Sequence, residues 1–240
     1  MKFMTKLLFK TTLLTLLLTS VAFFANAQIG YDYAQYDFGI GGNINRVYGD
    51  AELIKNTFST NVNFTYNHTP FVNYVAEVQV GVLEGGHVLS RSGRYFKNNY
   101  TALVFRGQLQ AGELIDYSRS QFMNVIKNFY ISAGLGYIMN DIRDGNIQRE
   151  SQVTPGYYTD GLNKSNELFL PMRIGYEFKL FNRYNEPSFK VDIGAQMNRD
   201  FDDNMDGFTA GKSKDNLMQY NITLKFALGG VTSYRKQIHY

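Results

Sequence analysis

The side chains best equipped for chemistry in this 240-residue chain fall into three sets. Asp202, Asn204, Asp206 and Gly207 match the first half of a calcium loop, D-x-N-x-D-G, in which spaced oxygens and a turn glycine wrap the ion. Ser213 stands at the twelfth place, where a bidentate glutamate belongs, and neither flank has helical periodicity, so no metal site is assigned. His87 and Ser90, with Glu84 close by in sequence, are the types a lipid hydrolase would need: the histidine takes the serine proton and a carboxylate orients the histidine. No nucleophile elbow or oxyanion motif accompanies them, and three scattered histidines do not make a metal site. No catalytic residue and no cofactor is therefore assigned. The third set is Asp37, Glu77, Arg106, Arg173, Glu177, Lys179, Lys190, Asp192 and Lys225, each standing in an alternating run of apolar and polar residues.

That alternation is the main structural signal. In "MRIGYEFKL", residues 172 to 180, Met172, Ile174, Tyr176, Phe178 and Leu180 share one face of an extended strand, and Arg173, Gly175, Glu177 and Lys179 share the other. The same pattern sets Tyr36, Phe38 and Ile40 against Asp37, Gly39 and Gly41, and Phe58, Val62, Phe64 and Tyr66 against Ser59, Asn61, Asn63 and Thr65. It continues with Tyr74, Val78, Val80 and Val82 opposing Glu77, Gln79 and Gly81. Phe105, Leu109 and Ala111 then oppose Arg106, Gln108 and Gln110, and Phe129, Ile131, Leu135 and Tyr137 oppose Ser132, Gly134 and Gly136. Last come Phe189, Val191, Ile193 and Met197 against Lys190, Asp192, Gly194 and Gln196, then Tyr220, Ile222, Leu224 and Phe226 against Asn221, Thr223 and Lys225. Each of these eight segments is near the roughly 9 to 11 residues that a tilted strand needs to cross a bilayer.

The first residues address the compartment. Lys2, Lys6 and Lys10 precede the apolar "LLTLLLTSVAFF" and then Ala25-Asn26-Ala27, the order of a secretory signal peptide cleaved after Ala27. Losing those three lysines leaves 21 basic against 21 acidic residues, so the full chain's net charge of +3 belongs to the leader and nucleic acid is not an expected partner. The chain has no cysteine, which excludes a lipid-anchored lipoprotein, a disulfide framework and a thiolate metal site. Beyond the leader no segment reaches the roughly 20 apolar residues of a membrane helix. With no linker to divide it, residues 28–229 read as a single all-β domain, an eight-stranded antiparallel up-and-down transmembrane β-barrel, after a signal peptide at 1–27.

Volume and charge decide which face points inward. An eight-stranded barrel is just wide enough for side chains to fill, and here the apolar face is uniformly large while the polar face is rich in Gly, Ser and Asn. Four inward acids would meet five inward bases, whereas a lysine or arginine turned to lipid at the midplane would cost about 2–4 kcal/mol. Ile174→Arg should accordingly impair insertion far more than Gln79→Arg. Tyr36, Tyr66, Tyr74, Phe129, Phe178, Phe189 and Phe226 would then form an aromatic girdle at the periplasmic rim. Short turns at 68–71 and 181–187 and long connections elsewhere put the long loops outside. The long 113–128 connection is open to two readings, a short amphipathic helix carrying Phe122, Val125 and Ile126, or an extension of strands four and five.

The leader, the eight segments, the charged inner face and the last long loop "DDNMDGFTAG" before "YNITLKFALGG" together resemble the small outer-membrane β-barrel proteins of Gram-negative bacteria, the group related to the barrel half of OmpA. The resemblance spans residues 28–229. It implies residence in the outer membrane, insertion by the barrel assembly machinery, contact with outer-membrane lipid and lipopolysaccharide, and a structural or surface role. Two departures stand out: the sequence stops at Tyr240 without a peptidoglycan-binding domain, and "VTSYRKQIHY" follows the apparent strand end. Residues 230–240 are expected either to continue strand eight or to form a short periplasmic tail. The expected function is a non-enzymatic barrel whose long exterior loops bind any extracellular ligand. A small-solute pore lined by Gly39, Gly41, Gly134, Gly136, Gly175 and Gly194, an outer-membrane lipid-modifying enzyme acting through His87, and a soluble periplasmic lipocalin-like binder are the alternatives.

Overall fold

The computed structural model describes residues 30–118, 120–183, 186–210 and 214–235; the expected leader lies outside them. Each alternating segment forms a strand, longer than its membrane-crossing core. They are β1 (Gly30–Tyr48), β2 (Thr57–Asn67), β3 (Val72–Gly86), β4 (Tyr95–Gln110), β5 (Phe129–Gln148), β6 (Lys164–Phe181), β7 (Pro187–Asp200) and β8 (Asn216–Arg235). Every strand pairs antiparallel with its sequence neighbour and β8 returns to β1, so the sheet is a closed ring. Closure satisfies each strand's backbone without an open edge, which is what a hydrocarbon environment requires.

The side chains are distributed inside-out. Ile174, Ile193 and Leu224 are 64%, 45% and 41% exposed, whereas Arg173 and Lys190 are 2% and 4% exposed. An apolar exterior around a buried charged interior is the reverse of a water-soluble carrier. It identifies the belt as the surface that meets lipid.

Three sequence expectations change in detail. The outer hairpins are paired well past the belt, with β5 reaching Gln148 and β6 beginning at Lys164, so the long connection between them narrows to 149–163. Ala111, expected on β4, begins a helical turn, α1 (Ala111–Leu114). The 113–128 connection also holds a short helix, α2 (Gln121–Ile126), in which the Ser120 hydroxyl accepts a hydrogen bond from the Met123 amide at 3.2 Å. That is the usual N-cap arrangement, and the helix carries Phe122, Val125 and Ile126, the first of the two readings of this connection. Strand β8 carries on to Arg235, paired with Gly30 of β1.

Candidate functional site

The interior is stacked in layers along the barrel axis. At the end bearing the short turns, Phe71, Tyr117 and Tyr33 are buried together, with Tyr234 packed against them. Phe71 sits edge-on to Tyr234 with ring centroids 5.9 Å apart, and the Tyr33 hydroxyl donates to the His68 carbonyl at 2.8 Å. The Lys127 ammonium lies over the Tyr117 ring, 4.9 Å from its centroid, and burial holds that ammonium down at about 8. The floor of the lumen is thus built by the 68–71 turn, the connection from α1 to β5 and the inner ends of β1 and β8.

Above this floor lies the charged layer. All nine charged residues singled out in the sequence are buried inside the ring. Seven form a continuous chain of ion pairs. Arg106 and Arg173 both approach the same Glu77 oxygen, at 2.9 and 3.6 Å, and Arg173 reaches Asp192 at 3.1 Å. Lys225 bridges Asp192 at 2.7 Å and Glu177 at 2.8 Å, and Lys179 closes the chain 3.8 Å from Glu177. The remaining two pair with each other, Lys190 to Asp37 at 2.6 Å. Further hydrogen bonds offset desolvation: Tyr130 donates to Asp192 at 2.6 Å, Asn67 to Asp37 at 2.8 Å, and Lys179 to the Pro70 carbonyl at 2.6 Å and to Gln110 at 2.7 Å. The partners come from β1, β3, β4, β6, β7 and β8, so the network braces the ring across its width.

An amide layer follows, which sequence reasoning missed. The Gln219 side chain donates to Asn45 and Gln79 at 2.9 Å each, and Gln196 donates to Asn198 at 2.8 Å. Gln79 also donates to Glu77 at 2.6 Å, joining the two layers. Gln79 is 1% exposed, so Gln79→Arg has to displace neighbours in this layer and carries a packing cost of its own.

Over the amides sits an apolar plug that was also missed: Leu83, Phe96, Tyr100, Val104, Ile138, Phe169 and Leu217 from the strands, with Met205 and Phe208 from the 201–215 loop. The signal was present in parity. Phe96, Tyr100, Ala102 and Val104 share the face of Arg106, so inward positions turn apolar as β4 leaves the charged layer.

The glycines do not open a path. A methyl group at Gly136 would lie 2.1 Å from the Phe169 ring, at Gly175 2.5 Å from the Tyr130 hydroxyl, and at Gly194 2.9 Å from the Arg173 guanidinium. At Gly39 and Gly41 it would meet Asn63 and Thr223, and at Gly134 the β4 backbone. Each glycine makes room for a neighbour's side chain or backbone.

The loop beyond β7 folds back over the plug. Asp206 accepts hydrogen bonds from the amides of Asp50 (2.7 Å) and Phe208 (2.9 Å), while Asp215 accepts from the Asp206 amide (3.2 Å). Burial pushes the Asp206 carboxyl up to about 7, with the Asp50 and Asp203 charges adding to the rise; Asp215 is raised by burial and by Asp206. Asp202 points to solvent and both Asp206 oxygens are engaged by amides, so D-x-N-x-D-G does not wrap an ion as a calcium loop would. Gly207, at φ +78°, makes the turn there. The His87 set does not assemble either. His87 Nδ1 accepts from the Leu89 amide at 3.1 Å, and Glu84 pairs with Lys55 at 2.6 Å.

Aromatic rings meet around the outside of the lower rim. Tyr66 contacts Tyr36 at 5.6 Å and Tyr74 at 6.3 Å between centroids, and Phe189 contacts Phe226 at 5.2 Å. Tyr176, not foreseen as a member, joins Phe129 at 4.8 Å to Phe178 at 4.6 Å.

No protein-family model and no curated protein matches the chain. Among solved structures, Neisserial surface protein A is 8% identical, with 81% of this chain and 98% of that one covered and a TM-score of 0.44. Ail, the attachment invasion locus protein of Yersinia pestis, crystallised with the heparin analogue sucrose octasulfate, is 13% identical over 81% of this chain and 98% of that one, also at 0.44. The N-terminal β-barrel domain of Pseudomonas aeruginosa OprF is 12% identical over 80% and 99%, at 0.37. These likenesses are of outline, and the architecture rests on the chain's own ladders and burial. The chain is an eight-stranded up-and-down β-barrel with an apolar outer belt and a charged lumen packed with side chains.

Proposed function

We propose that this protein is a non-enzymatic barrel of the Gram-negative outer membrane, held in lipid and lipopolysaccharide by its belt, inserted by the barrel assembly machinery, and acting through its outer hairpins at the cell surface. The observation that carries this reading is the filled lumen. Among the described residues floor, ion pairs, amides and plug follow one another along the lumen, and the glycines that suggested a pore lie against their neighbours' side chains or backbone. A lumen of this kind stiffens a platform and leaves the loops to do the binding. Arg94 ties the hairpins together, donating to the Asp50 carbonyl at 2.9 Å and to the Thr159 hydroxyl at 3.1 Å.

Planar-bilayer recording of the purified, heat-modifiable protein tests the reading. No stable channel openings are expected. Reproducible single-channel conductance would replace it with a pore. Protease shaving of whole cells should cut in 87–94 and 149–163 and spare the turn at 68–71; cleavage at the turn instead would invert the orientation.

A further inference from the structure

The inside-out distribution does not stop where the strands do. In the connection from β4 to β5 the polar side is turned toward the barrel: Asn124 and Lys127 are buried, the Gly112 amide donates to the Lys127 carbonyl at 2.7 Å, and Glu113 accepts from the Thr69 hydroxyl of the 68–71 turn at 2.8 Å. The apolar side is turned out. Leu114 and Phe122 are 74% and 67% exposed, as bare as Ile131 and Ile174 of the belt at 63% and 64%. Side chains this apolar and this bare are costly in water and stable against lipid. The depth of the connection agrees. The Tyr176 hydroxyl donates to the Val125 carbonyl at 2.8 Å, and the Tyr176 ring touches Phe129 and Phe178 among the rim aromatics, so α2 is fastened at the level where such rings meet headgroups.

Beside α1 the belt is furrowed. Leu109, Ile131, Ile174 and Ala195 are partners in succession across β4, β5, β6 and β7, one row around the outside. With Leu114 and Phe129 they line an open groove of about 560 Å³, within the size range of small-molecule sites. The polar residues next to it send their groups elsewhere, Gln110 donating to Glu177 and Tyr130 to Asp192 inside the lumen. What remains along the groove is hydrocarbon, continuous at one edge with the belt and at the other with α1. We propose that the α1–α2 connection is an in-plane anchor in the phospholipid leaflet at the short-turn end, with Leu114 and Phe122 set among the lipids and a phospholipid acyl chain lying in the groove. The proposal rests on the outer-membrane reading above, since it extends the lipid-facing belt onto the connection. It gives the long connection at this end a task that the short turns beside it do not share.

The chain has no tryptophan, so single substitutions report on their own surroundings. The full chain, checked for heat-modifiability in each variant, is folded into phosphatidylcholine vesicles with or without lipid brominated high on the acyl chain, roughly 5–10 Å below the headgroups, the depth of an interfacial apolar face. Bromine in contact quenches tryptophan emission. F122W and L114W should lose at least about half their emission in the brominated vesicles, as I174W in the belt does, while L89W, on an outer loop and 81% exposed, keeps its own. Adding Ala195→Phe fills the groove and should weaken the quenching of L114W while leaving that of F122W unchanged; Ala195→Leu serves if the ring prevents folding. Quenching of I174W without quenching of F122W and L114W overturns the proposal and leaves the membrane reading standing. Emission that turns blue only as protein concentration rises would also overturn it, assigning the face to a second copy. If I174W itself is unquenched, the membrane reading falls and takes the anchor with it. Quenching of L114W that ignores the filled groove removes the acyl chain from it.

Discussion

The charged layer and the outer cap are built from the same carboxylates and handle them in opposite ways. In the layer, Asp37, Glu77, Glu177 and Asp192 each meet a guanidinium or ammonium from another strand. In the cap, Asp206 and Asp215 meet backbone amides and each other, while Glu167 and Asp200 meet nothing positive among the described residues. A strand can aim a long basic side chain across a lumen because its neighbours fix its direction. A loop closing over the top offers amides and carbonyls in place of bases. The first arrangement is a brace of opposite charges, and the second sets carboxyls against amides and one another.

The sharpest way to break the comparison is to remove one charge from the brace. Asp192→Leu leaves Arg173 and Lys225 buried without that partner and should cost about 3–5 kcal/mol, measured by urea unfolding in lipid vesicles. Asp206→Asn in the cap should cost far less, and equal losses would erase the distinction. Turning charge outward comes next: Ile174→Arg should destabilise the barrel by about 2–4 kcal/mol in the same assay. Gly136→Ala presses a methyl into the Phe169 ring of the plug and should cost about 1–3 kcal/mol, with Phe169→Leu as a second change restoring part of it.

Acidity separates the regions from the other side. The Asp206 and Asp215 carboxyls are raised in the folded cap, so the native state holds protons that the unfolded chain gives up more readily. The contribution of each is complete below the ordinary carboxylate range near pH 4 and is lost as pH rises, through about 7 for Asp206 and about 9 for Asp215. Amide exchange at 206–210 should therefore be slow at pH 5 and faster at pH 8 after correction for intrinsic rates. Asp206→Asn should flatten the difference, with Asp50, Asp203 and Lys214 as the remaining charges around the loop. The smallest effect is at the floor, where Ser120→Ala removes the α2 cap and should cost about 1 kcal/mol of local stability, read by exchange at Met123.

Period-two patterning made the barrel legible, because each strand in the belt has lipid on one side and a lumen on the other. The nine charged positions followed from the same parity, and all nine are buried inside. What the pattern hid lies where one side ceases to differ from the other. Above the charged layer Val104 and Ile138 point inward while Leu103 and Tyr137 point outward, so a hydropathy contrast no longer distinguishes the faces. The amide layer was obscure for another reason: Gln79, Gln196 and Gln219 are ordinary polar inward residues until three strands bring them together. Met205 and Phe208 lie in a loop, and their burial depends on a fold-back that local sequence does not announce.

The ladder between β1 and β8, from Gly30 with Arg235 to Tyr48 with Asn216, joins the two most distant parts of the described chain and is also the longest run of pairing in the ring. Every other pairing is a hairpin that two adjacent segments can make alone, but this one has no partner to find until all the strands between have been laid down. Joining residues so far apart in sequence carries the largest entropic penalty, and the extra length of this ladder is placed where that penalty falls. The last stitch of the cylinder is thus also its longest hem.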